Sequence, residues 1–323
     1  METVFTEEEI PDDQLRMIFL CCHPSLPEES QIALTLKTLC GFGPAEIASA
    51  FFKKEEAVEK QLVRARQKLR EEKVSFDLPV ASEFGERLGS VLAVLYLLFN
   101  EGYKSTDSEN LIRHDLLDEA LRLGRLLGAH PIGKKPEVYA LLALMLIHRA
   151  RVPARIGREG EILLLAEQDR KLWDESLLME GLGFLNRASE GERMTAYHVE
   201  AAIAAHYATA KTFEETPWDE IVSLYDLLLQ FKPTVVVRLN RAVAVFKLKG
   251  PAVALGELRD LEKDKSVQDY YLFHAVMAEI LLGLGKKSSA MKHLDLALAK
   301  TKQVAERRLL ENKKALLVSA TSL

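Results

Sequence analysis

The sequence has few of the features that mark secreted or membrane proteins. It contains only three cysteines among 323 residues, at positions 21, 22 and 40. An odd number of cysteines in a chain of this length indicates reduced thiols and not a disulfide framework. Long apolar runs such as Val91–Phe99 are too short to cross a bilayer, and no N-terminal stretch has the pattern of a signal peptide. We therefore expect a cytoplasmic protein that does not associate with membranes.

Glycine and proline are also scarce, and the patterns of common cofactor sites are missing. The chain has 17 glycines and 11 prolines, which separate apolar stretches and do not form low-complexity tracts. It has neither G-x-x-x-x-G-K-[ST] nor a G-x-G-x-x-G that follows a strand, so no phosphate-binding loop is expected. Its histidines lie at unrelated helical positions and give no nucleophile–base arrangement. We expect no catalytic residues, no enzyme activity and no cofactor.

An excess of positive charge is missing as well. The formal net charge is -5, so the charge of the whole chain does not predict nucleic-acid binding. The first 79 residues contain 15 acidic and 10 basic residues, yet the segment from Lys53 to Lys73 contains eight basic residues against five glutamates. A locally basic helix is therefore expected behind an acidic leading segment.

The apolar residues recur with helical period, which predicts an all-α protein. Even Val235–Leu239, which is rich in β-branched residues, continues a helical period. The helices expected in the middle of the chain span Glu83–Asn100, Leu111–Leu127, Pro136–Arg149 and Leu172–Arg187, with a short extra helix at Glu161–Gln168. Gly102 is expected to end the first of these with a positive φ.

The chain is longer than one compact helical domain requires. We expect an acidic linker at residues 1–10, an N-terminal helical domain at 11–79, a helical middle domain at 80–190 and helical repeats at 191–323. The boundary after the N-terminal domain rests on Val74–Ser82, which contains Asp77 and Pro79 and has the composition of a linker.

The last third of the chain contains paired helices with a recurring period. Leu239–Leu258 and Phe273–Leu294 each combine an Ala-rich helix, a turn glycine and a second helix rich in Ala and Leu. The turn glycines, Gly250 and Gly285, are 35 residues apart, close to the period of about 34 residues of tetratricopeptide helix pairs. The full tetratricopeptide consensus is absent, so a plain α-helical bundle is the alternative.

The N-terminal domain contains the pattern of a helix-turn-helix. A short helix, Ala45–Phe51, precedes a turn at Lys53 and Lys54, and the inner stripe of the next helix begins with Val58 and Leu62. In such a motif the second helix enters the major groove with its N-terminal part, while basic side chains contact phosphates. The pattern fits a helical hairpin with a solvated, mixed-charge face equally well, so both interpretations stay open here.

Adjacent Cys21, Cys22 and His23 invite comparison with metal-binding motifs. Two adjacent cysteines do not readily bind one ion in the geometry of structural zinc sites, and no second ligand pair occurs at a suitable spacing. Cys22 also lies on the apolar stripe of its helix. We expect buried structural thiols and no metal site, with a redox role shared with Cys40 as the alternative.

A resemblance to a known family rests on several separated motifs. Region 4 of the extracytoplasmic function (ECF) sigma factors is similar, without gaps, to EIASAFFKKEEAVEKQLVRARQKLR, above all in the EIA opening and in the L-x-R-A-R-x-K-L-R run of Leu62 to Arg70. Further segments resemble the ECF subgroup with a C-terminal, tetratricopeptide-like extension. They are DDQLRMIFLCCHPSLPEESQIALTLKTL, LLFNEGY, ALLALMLIHRARVPAR, EQDRKLWD, LNRAVAV and FHAVMAEIL.

The resemblance implies that residues 11–79 are region 4 of a bacterial sigma factor, which binds core RNA polymerase and reads the −35 element of promoter DNA. It also implies that the repeats at 191–323 regulate this activity or bind a peptide or protein ligand. Carried over by position, the DNA-binding residues are Lys53, Lys54, Glu59, Lys60, Arg64 and Arg66. Glu59 departs from the family, in which a basic residue is common at this position, and leaves the promoter sequence open.

Members of this family begin with region 2, which opens the −10 element. Nothing before Asp12 resembles region 2, so we expect a chain that lacks it and does not initiate transcription alone. The competing hypothesis is a helical-repeat interaction scaffold whose N-terminal helices do not bind DNA. Glu59 and the acidic leading segment favour the scaffold, whereas the gapless run from Leu62 to Arg70 favours the sigma factor.

Overall fold

The computed structural model describes residues 10, 12–73, 81–158, 160–263, 265–268 and 270–319. Within these ranges the chain is α-helical and contains no strand, apart from an isolated antiparallel bridge between Ile156 and Ile162. The all-α prediction is therefore confirmed. Contacts divide the chain into two compact units. Unit 1 contains residues 1–106, 110–149 and 183–193, and unit 2 contains residues 107–109, 150–182 and 194–323.

Unit 1 begins with four helices whose ends are set by local capping. They are α1 (Asp13–Cys21), α2 (Glu28–Leu39), α3 (Pro44–Phe51) and α4 (Glu55–Glu71). The carboxylate of Asp12 accepts a hydrogen bond from the Leu15 N–H at 2.8 Å and fixes the start of α1. Beyond α2, Gly41 has a φ of 75°, and the Phe42 N–H donates to the Leu36 carbonyl at 3.1 Å. Helix α3 begins one residue before the predicted Ala45–Phe51, and α4 follows the predicted turn at Lys53 and Lys54.

A shared core holds these four helices together, since α2 packs against α1, α3 and α4, and α3 packs against α4. Its buried side chains include Leu15, Ile18, Phe19, Cys22, Leu36, Ile47, Val58 and Leu62. Each large apolar side chain contributes about 1.5–3 kcal/mol on burial. Phe51, at the end of α3, is half-buried. The core fixes which side of α4 faces solvent.

Helix α5 (Ala81–Tyr103) covers this core. The buried Arg87 donates a hydrogen bond to the Phe19 carbonyl at 3.1 Å, and Phe84 meets the Phe19 ring edge-on, with centroids 5.2 Å apart. Unit 1 therefore continues across position 79. Of the predicted linkers, residues 1–9 and 74–80 lie outside the described residues, and the predicted division into domains stays a prediction.

Helices α6 (His114–Ala129) and α7 (Pro136–Ala150) follow, and the start of α6 depends on a close contact with α5. Helix α6 begins at His114 and not at Leu111, because the Arg113 N–H donates to the Gly102 carbonyl at 2.9 Å. Gly102 lies inside α5, where a Cβ would come within 2.8 Å of the Leu117 nitrogen. The expectation of a positive φ at Gly102 is therefore wrong, and the glycine allows two helices to approach closely.

Helix α8 (Glu175–Ala188) also starts later than the pattern predicts. The Asp174 carboxylate accepts from the Leu177 N–H at 3.0 Å and caps the helix. The preceding residues, Arg170–Leu172, form a separate 3₁₀ turn. The short helix predicted at Glu161–Gln168 is wrong, because only a 3₁₀ turn at Leu165–Glu167 occurs there.

Unit 2 continues with successive helices, most of which pack against the next. They are α9 (Ala196–Thr209), α10 (Trp218–Phe231), α11 (Val235–Lys249), α12 (Pro251–Glu262), α13 (Lys265–Gln268), α14 (Tyr271–Gly283), α15 (Lys287–Lys300) and α16 (Val304–Ser319). Gly250, with a φ of 82°, joins α11 to α12, and Gly285, with a φ of 71°, follows α14. Both lie at the turns that the repeat pattern predicts, while the tetratricopeptide-like character of the pairs stays a prediction.

Candidate nucleic-acid interface

The outward surface of α4 and of the turn before it is charged and open to solvent. The residues that sequence reasoning singles out are all exposed: Lys53, Lys54, Glu59, Lys60, Arg64 and Arg66. On the opposite side of α4, Val58, Leu62 and Ala65 are buried. The exposure of the six follows directly from this amphipathic pattern.

The six side chains do not form a single cluster. At about 100° per residue, Lys60 lies opposite the buried stripe of α4. Glu59 and Arg66 lie on one flank of the helix, and Arg64 lies on the other. A ligand that reaches both flanks, such as the two phosphate backbones that border a DNA groove, fits this arrangement better than a small anion does.

A cleft of about 500 Å³ runs along the Arg64 flank. Its lining residues are Leu26, Pro27, Glu29, Ser30, Lys53, Ala57, Gln61, Arg64, Ala65 and Lys68. Three of them are cations and one is a carboxylate, so the cleft has a positive balance. Ser30 and Gln61 share a hydrogen bond of 3.2 Å at its wall. Sequence reasoning missed these two residues, because single polar residues on helices give no signal.

The cations around α4 differ in how far neighbouring residues already neutralise them. Lys53 forms an ion pair with Glu29. The side chains of Lys60, Arg64 and Arg66 form no ion pair or hydrogen bond with any described residue. An exposed pair such as Lys53–Glu29 contributes about 0–1 kcal/mol, so a polyanion displaces Glu29 at little cost.

The first turn of α4 is acidic. Glu55 and Glu56 begin the helix and Glu59 follows one turn later, and all three are exposed. These glutamates complement the helix dipole, but they repel phosphate. Favourable contact with phosphate along the helix itself therefore begins at Lys60 and continues as far as Arg70.

The turn between α3 and α4 contains an exposed aromatic residue in the left-handed conformation. Phe52 has a φ of 54° and a ψ of 40°, and 70% of it is exposed. The Lys53 N–H donates to the Ala48 carbonyl at 2.9 Å and closes the end of α3. A residue with a Cβ costs about 1–2 kcal/mol in this conformation, so the local backbone alone favours glycine.

The cysteines lie inside unit 1 and not at its surface. Cys21 and Cys22 are buried and Cys40 is half-buried. Burial raises the pKa of Cys21 to about 11 and those of Cys22 and Cys40 to about 12, which keeps them as unreactive thiols at neutral pH. Within the described ranges, no three His, Cys, Asp or Glu residues are placed to hold a metal ion. The helices of the same ranges include none with the length and apolarity to cross a membrane.

Known protein families match two parts of the chain. Residues 16–69 match the family model of sigma-70 region 4, and residues 87–189 match a family of unknown function, DUF6596. The uncharacterized protein R00370 of Rhizobium meliloti (strain 1021) is 38% identical over 295 residues, which cover 91% of this chain and 69% of that protein. The chain belongs to the same family. No solved structure matches it.

The region 4 match covers most of α1, all of α2 and α3, and α4 as far as Leu69. It supports a sigma-factor-like protein with a DNA-binding helix-turn-helix, and it includes every position singled out on α4 and in the turn before it. The match assigns no role to individual residues, so the contacts of Lys53, Lys60 and Arg64 with DNA stay predictions. Helices α5 to α8 largely coincide with the family of unknown function.

Proposed function

We propose that this chain is a sigma factor of the ECF group, which directs bacterial RNA polymerase to promoters by reading the −35 element. The observation that carries the proposal is the exposed face of α4, where Lys60, Arg64 and Arg66 have no partner within the described residues. This face belongs to the segment that matches sigma-70 region 4. In this proposal the chain acts in the bacterial cytoplasm, where the polymerase and the promoter DNA are.

In this proposal the position of each side chain on α4 determines which part of the DNA it contacts. Lys60, on the outermost line of the helix, points at base edges in the major groove. Arg64 and Arg66, on opposite flanks, contact the phosphates of the two strands, and Lys53 and Lys54 contact phosphate at the start of the helix. Glu59 accepts a hydrogen bond from the amino group of a cytosine, which makes its departure from the family a determinant of promoter choice.

Residues 191–323, most of which belong to unit 2, are proposed to be a tetratricopeptide-like extension that binds a regulatory peptide or protein. The glycine turns at Gly250 and Gly285 and the succession of packed helices support this role, because stacked helix pairs present extended surfaces to peptides. Deletion of residues 194–323, which all belong to unit 2, is expected to change the transcriptional output and to leave the DNA sequence preference unchanged.

The test of DNA reading is selection from a randomised duplex library by the full chain, with and without core RNA polymerase. An enriched motif is expected. Lys60→Ala is expected to relax the motif, and Arg64→Ala to weaken binding to all sequences. Lys134→Ala, which removes an exposed cation of unit 1 outside the helix-turn-helix, is the matched control. A library without an enriched motif would contradict the proposal.

The second candidate is a helical-repeat scaffold that does not bind DNA. The acidic first turn of α4, with Glu55, Glu56 and Glu59, favours it, because these carboxylates repel phosphate. This candidate predicts no binding to duplex DNA even at about 50 mM salt, where phosphate contacts are strongest. Fluorescence anisotropy of a labelled duplex at this ionic strength separates the two candidates.

A further inference from the structure

Unit 2 contains a cavity of about 480 Å³, which is within the range of about 300–1,000 Å³ for small-molecule sites. Helices α9, α10, α11, α14 and α16 contribute to its walls, together with residues 164–166. The apolar lining includes Val243, Leu272, Val276, Ile280, Leu309 and Leu310. A mainly apolar wall with few polar groups is typical of sites for small organic molecules.

One part of the wall is a cluster of aromatic rings. Trp218 meets Tyr207 and Phe213 edge-on, with centroids 5.8 and 5.4 Å away. Phe246 adds another ring, and the Nζ atom of Lys247 lies 4.9 Å from its centroid. Ring faces and edges in this arrangement suit a flat apolar or aromatic ligand body. The ammonium group of Lys247, although it contacts a ring, can still pair with an anion.

The charged residues that line the cavity have a cationic excess. They are Arg151, Lys247 and Lys313 against the single carboxylate of Glu279. Lys313 and Glu279 neutralise each other, with Nζ and Oε2 2.6 Å apart. Arg151 and Lys247 have no carboxylate partner among the described residues. The charge that is left favours a ligand with a negative group.

Arg151 is a buried cation without a counter-charge in the described part of the chain. It is only 8% exposed, its Nη2 donates to Gln168 Oε1 at 3.4 Å, and its Nε has no acceptor among the described residues. Its guanidinium lies 5.3 Å from the centroid of Trp173, which Arg170 approaches to 4.6 Å. A buried cation of this kind is costly, and an anion bound beside it offsets part of that cost.

The neighbouring guanidinium group confirms the positive character of this region. Burial lowers the pKa of Arg170, the charge of Arg151 lowers it further, and the carboxylate of Glu214 opposes this shift. One anion bound nearby therefore stabilises the charge of Arg170 as well as that of Arg151.

We propose that this cavity binds a small organic anion with an aromatic or similarly flat apolar body. The body lies against Trp218 and Phe246, and the anionic group faces Arg151 and Lys247. A neutral ligand of the same shape fills the apolar part and leaves Arg151 without a counter-charge, so it binds more weakly. The site rests on unit 2 alone and is independent of the proposed DNA interface.

Two probes with the same ring system test the charge requirement. They are 8-anilinonaphthalene-1-sulfonate and the neutral N-phenyl-1-naphthylamine, each titrated against the full chain by fluorescence. The sulfonate is expected to occupy one saturable site and to bind at least about tenfold more tightly than the amine, because charge-assisted hydrogen bonds stabilise only the anion. Equal affinities, or tighter binding of the neutral amine, would overturn the proposal.

Substitutions in the lining test the location. Asn240 is exposed and lines the cavity from α11, so Asn240→Trp is expected to fill the cavity and abolish binding of both probes. Arg151→Met is expected to weaken sulfonate binding about tenfold and to leave amine binding unchanged. Unaltered sulfonate binding by Asn240→Trp would overturn the proposal.

Two lysines of α11 provide a further test of where the anion binds. This test does not depend on the folding of Arg151→Met. Lys247 lines the cavity, whereas Lys249, at the end of the same helix, is exposed outside the lining. Lys247→Met is expected to weaken sulfonate binding about threefold, and Lys249→Met to leave it unchanged. Equal effects of the two substitutions would overturn the assignment of the anion to this cavity.

Discussion

Units 1 and 2 both present cations without carboxylate partners among the described residues, but in opposite surroundings. Lys60 and Arg64 on α4 stand in water, where an unpaired charge costs little. Arg151 in unit 2 is buried beside Trp173, where an unpaired charge is costly. The exposed cations of α4 suit a polyanion, because its binding releases counterions. The buried cation suits a ligand that brings an apolar body together with its charge.

The exposed position of the α4 cations depends on the packed core of unit 1. Removal of a large side chain from this core is expected to have the largest effect on stability. Phe19 is completely buried and contacts Phe84, so Phe19→Ala is expected to lower the free energy of unfolding by about 3–5 kcal/mol. Phe52→Ala removes the same ring from an exposed turn and changes this free energy by less than about 0.5 kcal/mol. Urea unfolding measures both, and similar losses for the two would contradict the core described for unit 1.

The turn between α11 and α12 in unit 2 gives the next largest expected effect. Gly250 has a φ of 82° and a ψ of 174°, a conformation that is essentially restricted to glycine, so Gly250→Ala is expected to destabilise unit 2 by about 1–3 kcal/mol. Gly256→Ala, inside α12 with open space around its Cα, is the matched control and is expected to stabilise by about 0.5–1 kcal/mol. Thermal unfolding midpoints measure both; a stabilising Gly250→Ala would show that the turn does not require glycine.

Substitution of a glutamate on α4 is expected to strengthen DNA binding. Glu59→Lys removes a repulsive carboxylate from the exposed face and adds a cation, and is expected to tighten non-specific DNA binding several-fold and to add about 0.9 to the salt slope. Glu86→Lys makes the same charge change at an exposed site on α5 and should have a much smaller effect. Fluorescence anisotropy with a labelled duplex measures both, and equal gains would mean that only total charge matters.

The smallest expected effect is a pH dependence in unit 2. His274 and His293 face each other with their Nδ1 atoms 3.2 Å apart. Burial and the proximity of His274 lower the pKa of His293 in the folded chain, whereas the unfolded value is about 6.5. The contribution to stability is therefore complete above about pH 6.5 and declines as the pH falls towards the folded value.

Urea unfolding at pH 7.5 and at pH 5.5 measures this decline. His293→Gln, which cannot titrate in this range, is expected to lose less stability between the two conditions than the unaltered chain does. An equal or larger loss in the variant would contradict the assignment to His293.

Local features could be predicted from the sequence, whereas contacts between distant residues could not. The bounds of α3 and α4 follow from apolar spacing and from the glycine, proline and glutamate residues at their ends. Gly102 was misjudged because its role depends on the approach of α6, which no local pattern records. The start of α8 was also predicted wrongly. Asp174 caps this helix, so it begins at Glu175 and not at Leu172.

The two candidate sites also differ in how far the sequence predicts them. The exposed cations of α4 lie within one short segment, so the amphipathic pattern of this segment predicts their exposure. The cavity of unit 2 combines Arg151, Asn240 and Lys313, which are far apart in sequence. Only the packing of helices brings these residues together, and their separate positions carry no signal.

The most direct test of the central claim is the salt dependence of DNA binding by the full chain. The logarithm of affinity is expected to fall linearly with the logarithm of salt concentration, and the double substitution Arg64→Ala/Arg66→Ala is expected to reduce the magnitude of this slope by up to about 1.8. Lys134→Ala is expected to leave the slope unchanged. A slope that is the same for the double variant and the unaltered chain would contradict the claim that the outward face of α4 binds DNA.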